Sequence, residues 1–182
     1  GHKVLREGTK HHFCLSYLHK TTANEATLTY SAFKNAGYSV WFDRMEADLT
    51  MVAAQAGVRE ASLGIVSLLS TKDVAAVEGV EVCSIRKFEC MDLLWAKDAG
   101  NIVVIVADDQ YKLAEVRIDH DRGEELRTFL QQCPRLTMNI HTIGDELSNL
   151  FANGVLTTSE VMQATTLEIQ QMAVQRTVSS VD

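Results

Sequence analysis

Proline occurs once in the 182 residues and glycine only ten times, with no cluster of either. That excludes a flexible linker, a low-complexity tract and a collagen-like repeat. There is no internal repeat of solenoid type. No apolar run reaches the length of a membrane-spanning helix, and no signal-type hydrophobic region is read at the start of the chain. The four cysteines (Cys14, Cys83, Cys90 and Cys133) are never spaced C-x-x-C. Reduced thiols in a cytoplasmic protein are therefore expected, not a zinc site or a disulfide framework. Walker and G-x-G-x-x-G loops are missing. A net charge of −7 argues against a general nucleic-acid or anionic-membrane binder. Asp119-His120-Asp121 has metal-ligand residue types, but adjacent side chains converge poorly, so a solvated loop is expected and no metal is assigned.

What is present alternates between strand and helix signals. Residues 11–17 (HHFCLSY) read as a strand. Thr22-x-x-Glu25 is a capping box opening a helix in which Leu28, Ala32 and Ala36 recur beside Phe33, and Gly37 closes it. Residues 38–42 (YSVWF) read as a second strand ended by Asp43. A polar loop over 44–51 leads to a helix over 52–62 and a buried strand over 64–69 (GIVSLL). Residues 70–83 read as a loop, with room for a helical turn at 74–77. Ser84 is a suitable N-cap for a helix with the apolar stripe Phe88, Met91 and Trp95, stopped by Gly100. Residues 102–107 (IVVIVA) are apolar throughout, as in a strand covered on both faces. After a charged loop over 108–122 and a short helix over 123–133, residues 135–141 alternate as a half-exposed edge strand. A helix over 145–153 follows.

Five β-α repeats predict an α/β fold: a five-stranded parallel sheet of flavodoxin-like order 2-1-3-4-5 with helices on both faces. The main domain is placed at 11–152. A second capping box, Thr157-x-x-Glu160, and a weak stripe of Met162, Ile169 and Met172 predict an appended C-terminal helix over 157–179.

In such a sheet ligands bind beyond the carboxyl ends of the strands, at the switch point between the first and third. Those ends carry Ser16, Tyr17, Leu18, His19 and Lys20, and residues 67–70. The helix after the third strand starts at the same end, which turns Glu89 and, one turn deeper, Asp92 toward the crevice. Trp41 and Phe42 face opposite sides of their strand, so one is available to stack on a planar ring while the other packs inside. Asp43 is positioned to hold a sugar hydroxyl or a helix N-terminus. A phosphoacceptor receiver would need acids at the ends of strands one and three, where this chain has serines.

The stretches FCLSYLHK (13–20), AGYSVWFD (36–43), AGVREASLGIVSLLS (56–70) and the region 89–107 together resemble the TIR (Toll/interleukin-1 receptor) domain. The resemblance covers roughly 11–152. Leu18 stands where many members have arginine, and residues 44–55 lack the usual glycine. The resemblance implies self-association with other TIR domains in immune or cell-death signalling. The implied interaction loop contains Arg44, Met45, Glu46, Asp48 and Leu49. As an alternative it implies an assembly-activated NAD+ glycohydrolase or ADP-ribosyl cyclase, with NAD+ as substrate, no permanently bound cofactor, and a carboxylate on the helix after the third strand. Counted from the helix cap, that carboxylate is Glu89. Counted back from Trp95-Ala96, it is Asp92. The longer Glu89 is favoured, because misplacement by about 1 Å can cost ~10²-fold in rate. Ser16, Tyr17, His19, Lys20, Trp41 and Asp43 would then contact the substrate.

Overall fold

The computed structural model describes residues 5, 7–43 and 50–153, apart from the side chains of His19 and residues 151–153. In chain order its elements are β1 (His11–Ser16), α1 (His19–Asn35), β2 (Val40–Trp41), α2 (Met51–Arg59), β3 (Ala61–Leu69), β4 (Val74–Val77), β5 (Val80–Ile85), α3 (Lys87–Asp98), β6 (Val103–Ala107), β7 (Arg117–Ile118), α4 (Gly123–Gln131), β8 (Arg135–Thr137) and α5 (Ile143–Asn153). β1, β2, β3, β6 and β8 form the expected sheet. Its spatial order is β2-β1-β3-β6-β8, and every neighbouring pair is parallel. This is the flavodoxin-like arrangement, with the two most apolar strands inside.

Strand alternation sends the sheet's side chains into two cores. Cys14, Ile65, Leu69, Val103 and Ile105 meet Val58 of α2, Leu93 of α3, and Leu126 and Leu130 of α4. On the other face Phe13, Leu15, Val66, Leu68, Val104 and Val106 meet Ala26 and Phe33 of α1 and Ile143 and Leu147 of α5. Each fully buried side chain of this size contributes about 1.5–3 kcal/mol. Gly64 lets β3 lie against β6. Its φ is +131°, and a Cβ there would collide with the Ile102 carbonyl oxygen, which accepts the Ile65 N–H at 2.9 Å.

Several local expectations are corrected. Residues 70–83 do not form a loop with a helical turn: Val74–Val77 and Val80–Ile85 are an antiparallel hairpin. Glu78 (φ 51°) and Gly79 (φ 81°) make its two-residue turn, a φ pair that matches the right-handed strand twist. β5 also pairs with β7, giving a separate three-stranded sheet, β4-β5-β7. Ser84 therefore lies in β5 and does not cap α3. The N-cap is Arg86, and the Ser84 hydroxyl donates to the Val82 carbonyl at 2.9 Å. The core-facing side of α3 is Cys90, Leu93, Leu94 and Ala96, with Glu89 beside them; of the stripe Phe88, Met91 and Trp95, Trp95 packs against this core and Phe88 is exposed.

Thr22 does not open α1. It is a kink inside a helix that starts at His19, and its hydroxyl bonds back to Leu18, accepting from the N–H at 3.2 Å and donating to the carbonyl at 3.1 Å. Helix α2 is shorter than expected, because residues from Ala61 onward extend β3. The edge strand stops at Thr137. All four cysteines are free thiols. Among the described residues no helix is long and apolar enough to cross a membrane. The 157–179 helix and the 44–49 part of the interaction loop lie outside the described residues.

Candidate functional site

One concavity lies beyond the carboxyl ends of β1 and β2, between α2 and α3, with a volume of about 470 Å³. Its strand side is Leu15, Tyr17, Leu18, Trp41 and Asp43; α2 contributes Met51 and Ala54, preceded by Thr50. Along α3 the lining is Arg86, Phe88, Glu89, Met91, Asp92 and Trp95. The apolar stripe Phe88, Met91 and Trp95 is therefore a wall of this cleft, with Trp95 also packed against the core. Helix α3 has two apolar faces. One packs on the sheet; the other, with Phe88 71 % exposed, faces the open space.

Both candidate acids share this cleft, and they are held differently. Asp92 Oδ2 accepts a hydrogen bond from the Ser16 hydroxyl at 3.0 Å, tying the helix to the end of β1. Glu89 is only 4 % exposed, and its Oε1 accepts the Arg86 backbone N–H at 3.4 Å. That oxygen thus helps satisfy the start of its own helix, as the third residue of a capping box does. Burial pushes the Asp92 carboxyl up to about 7, with Ser16 opposing and the Asp43 charge adding. Burial also pushes Glu89 up, to about 8. The nearby Asp73 charge adds, the Arg86 N–H opposes, Asp92 adds further, and the Arg86 guanidinium opposes. Near neutral pH the pair therefore holds protons that ordinary carboxyls would have lost.

Behind Glu89, Asp73 is 1 % exposed and raised chiefly by burial. It takes hydrogen bonds from the Thr21 hydroxyl and from the Ser70 N–H, which fastens the β3–β4 connection to α1. Ser67 Oγ, Tyr111 OH and Arg86 Nε are buried atoms without a partner among the described residues.

The sequence-derived residues fall into three groups. Glu89, Asp92, Tyr17, Trp41 and Asp43 line the cleft, and the Tyr17 hydroxyl donates to Asp43 at 2.6 Å. Ser16 does not line it, but holds Asp92. Lys20 is exposed on the first turn of α1, outside the lining, and His19 opens that helix. Arg44, Met45, Glu46, Asp48 and Leu49 lie outside the described residues. Sequence reasoning did not single out Arg86, Thr50, Met51 or Ala54, because no spacing rule marks the rim of a cleft. It did find Phe88, Met91 and Trp95 as the apolar stripe of the helix, without placing them in a cleft.

An apolar cleft with two proton-retaining carboxyls suits a ligand that brings positive charge. Such a ligand would draw the acids into their ionised form, where a carboxylate can stabilise a cationic centre or accept a proton.

No family model matches the chain, and no curated protein matches it significantly. Solved structures do. The structure of a metazoan TIR-STING receptor from C. gigas in complex with 2′,3′-cGAMP is similar with a TM-score of 0.55 and 13 % identity, over 86 % of this chain and 44 % of that one. A second structure of a TIR-STING receptor from C. gigas gives 0.47 and 11 %, over 84 % and 49 %. The present chain thus spans less than half the length of the receptor chains it matches. The likeness is one of fold: the chain has the flavodoxin-like α/β architecture found in a TIR-containing receptor.

Proposed function

We propose that this chain is a TIR-type signalling domain that works by associating with other TIR domains. The fold likeness supports this reading, as does the order of the strand-end stretches FCLSY and GYSVWFD followed by the acid-bearing α3. Sedimentation of the purified chain over a range of concentrations tests it. Mass should rise with concentration, and a monomer throughout removes the reading.

A second reading, cleavage of the nicotinamide–ribose bond of NAD+, is carried by one observation: Asp92 and Glu89 share an aromatic-walled cleft beyond the carboxyl ends of β1 and β2, one strand over from the expected switch point between β1 and β3. The bond electrons leave with neutral nicotinamide, and the ribose becomes oxocarbenium-like. A carboxylate beside it stabilises that charge, and water then adds at the same carbon, releasing a proton and ADP-ribose. Asp92 is the better candidate for the carboxylate at the reacting carbon, because one Glu89 oxygen is occupied by the start of α3. Trp41 and Trp95 line the cleft and supply the aromatic side chains nearest a bound pyridinium. Nicotinamide release by concentrated protein is the measurement. Asp92→Asn should lower the rate by about 10²-fold or more and Glu89→Gln by less, on the scale of removing an electrostatic stabiliser. Equal loss in both would assign the role to the pair, and no release from the unmodified chain would end the enzymatic reading.

A further inference from the structure

The accessory sheet β4-β5-β7 is an addition to the five-stranded fold, and a second concavity lies on it. The groove has a volume of about 490 Å³, with Val74, Ala75 and Ala76 of β4 among its lining and Arg86, Lys87, Phe88, Arg117 and Asp119 around it. Three cations and one acid meet there, on a chain whose net charge is −7. Arg122 and Arg127, by contrast, are well engaged. Arg122 binds both oxygens of Asp98 at 2.8 Å and also Glu125. Arg127 reaches Glu124 and two backbone carbonyls. In the groove Arg117 has only a 3.8 Å approach to Asp119. Lys87 is exposed with no ion pair among the described residues, whereas the Arg86 guanidinium is held by the Val74 carbonyl at 2.8 Å, which leaves Lys87 and Arg117 as the cations a second molecule could meet.

The complementary surface is on the same chain. Asp145 and Glu146 are exposed on the first turn of α5 and form no ion pair with a described cation. The acids of the α4 first turn, by contrast, are matched by Arg122 and Arg127. Helix α5 packs on one face of the main sheet, through Ile143 and Leu147. The accessory sheet joins the core of the opposite face, through Ile85 and Ile118. One molecule therefore cannot satisfy its own groove, and two copies of one surface cannot satisfy each other.

We infer that the groove over β4-β5-β7 receives the acidic first turn of α5 from a second copy of this chain, so that copies associate head to tail. Such a contact uses two different surfaces and propagates until it closes or becomes a filament. Two chains of net charge −7 repel at long range, so association requires a local match of this kind. Lys87 and Arg117 supply the charge, while Phe88, 71 % exposed, and the β4 side chains supply apolar contact. The inference rests on the self-association proposed above and names its surfaces.

Charge swapping tests it, with mass measured by sedimentation at low and at moderate salt. The unmodified chain should associate, and less so as salt screens the contact. Lys87→Glu with Arg117→Glu should weaken association by about tenfold or more, as should Asp145→Lys with Glu146→Lys, consistent with like charges facing each other across an interface. Each variant alone stays monomeric; mixed, they should associate again, because the reversed groove then meets the reversed helix turn and the two unreversed surfaces meet each other. Recovery on mixing also shows that both variants are folded. If the unmodified chain associates and either double reversal leaves it unchanged, or if mixing fails to restore it, the assignment of these surfaces is overturned while self-association stands. If the unmodified chain remains a monomer at all concentrations, both fall.

Discussion

The two sheets of this molecule are held by different means. In the main sheet β6 is buried at all five positions, sandwiched between cores on both faces. In the accessory sheet β4 has no fully buried residue, and Val80 of β5 is 62 % exposed. What holds the second sheet is its turn, the anchoring of Ile85 and Ile118 in the core at one end, and a few directed bonds. Ser84 N–H donates to the Asp73 carbonyl at 2.7 Å, Asp119 N–H to the Ile85 carbonyl at 3.0 Å, and the Arg86 guanidinium to the Val74 carbonyl at 2.8 Å. Burial organises the whole of one sheet and only one end of the other, where hydrogen-bond geometry does the rest. Glu89 sits where they meet, on the first turn of the helix that leaves the accessory sheet and packs on the main one.

The same substitution in each sheet measures this difference most directly, and the main sheet should suffer most. Gly64→Ala puts a methyl group into the Ile102 carbonyl oxygen at a φ of +131°. Strain and overpacking together should cost about 3 kcal/mol or more, read as a lower denaturant midpoint with an unchanged slope. A loss under about 1 kcal/mol would mean that β3 and β6 have slack between them.

The seam is next. Glu89 rises from 4.5 to about 8 in the fold, so between these values the native state holds a proton that the unfolded chain has released. Stability is then full below about 4.5 and falls as pH rises toward 8. Glu89→Gln keeps the oxygen that accepts the Arg86 N–H and abolishes the titration. Its stability should match that of the parent at pH 4 and exceed it at pH 9 by a few kcal/mol, at most ~5, measured by urea unfolding at both pH values. A variant that is less stable at pH 9 would contradict the burial argument.

The smallest effect belongs to the accessory sheet. Gly79 has a φ of +81°, but a Cβ there meets nothing within 4 Å. Gly79→Ala should cost only about 1 kcal/mol, from backbone strain alone. If it cost as much as Gly64→Ala, the two sheets would not differ as described.

The same contrast explains what could be read in the sequence. IVVIVA and GIVSLL announce buried parallel strands because both faces of an interior strand are apolar, and the order of the sheet followed from the β-α alternation. The accessory strands were not read, although VAAV-EG-VEVCSI carries a hairpin signal in its two-residue turn and the Val80, Val82 alternation. Glutamate is an unusual residue at positive φ, which weakened the turn signal. Missing β5 then made Ser84 look like a helix cap. For the cleft, the pairing of Glu89 and Asp92 on one helix face was legible from their three-residue spacing. Which face that was could not be read: a helix with apolar residues on two sides gives the same periodicity whether a side meets the core or open space. Ser16 looked like a ligand contact from its strand-end position, whereas its hydroxyl is used to hold Asp92, a pairing across 76 positions of sequence that no local pattern encodes.

The all-parallel register also has a consequence for how the chain acquires its shape. Each neighbouring pair in the main sheet must be closed by a crossover, so loop-closure entropy is lost before strand contacts compensate, and such topologies fold slowly. The β4–β5 hairpin closes over two residues and is free of that delay. During refolding the accessory strands should therefore pair early. The cleft, which requires β1, β2 and α3 to be docked together, should be completed only as the last crossovers lock, making its Trp41 and Trp95 late-reporting fluorophores for the final step.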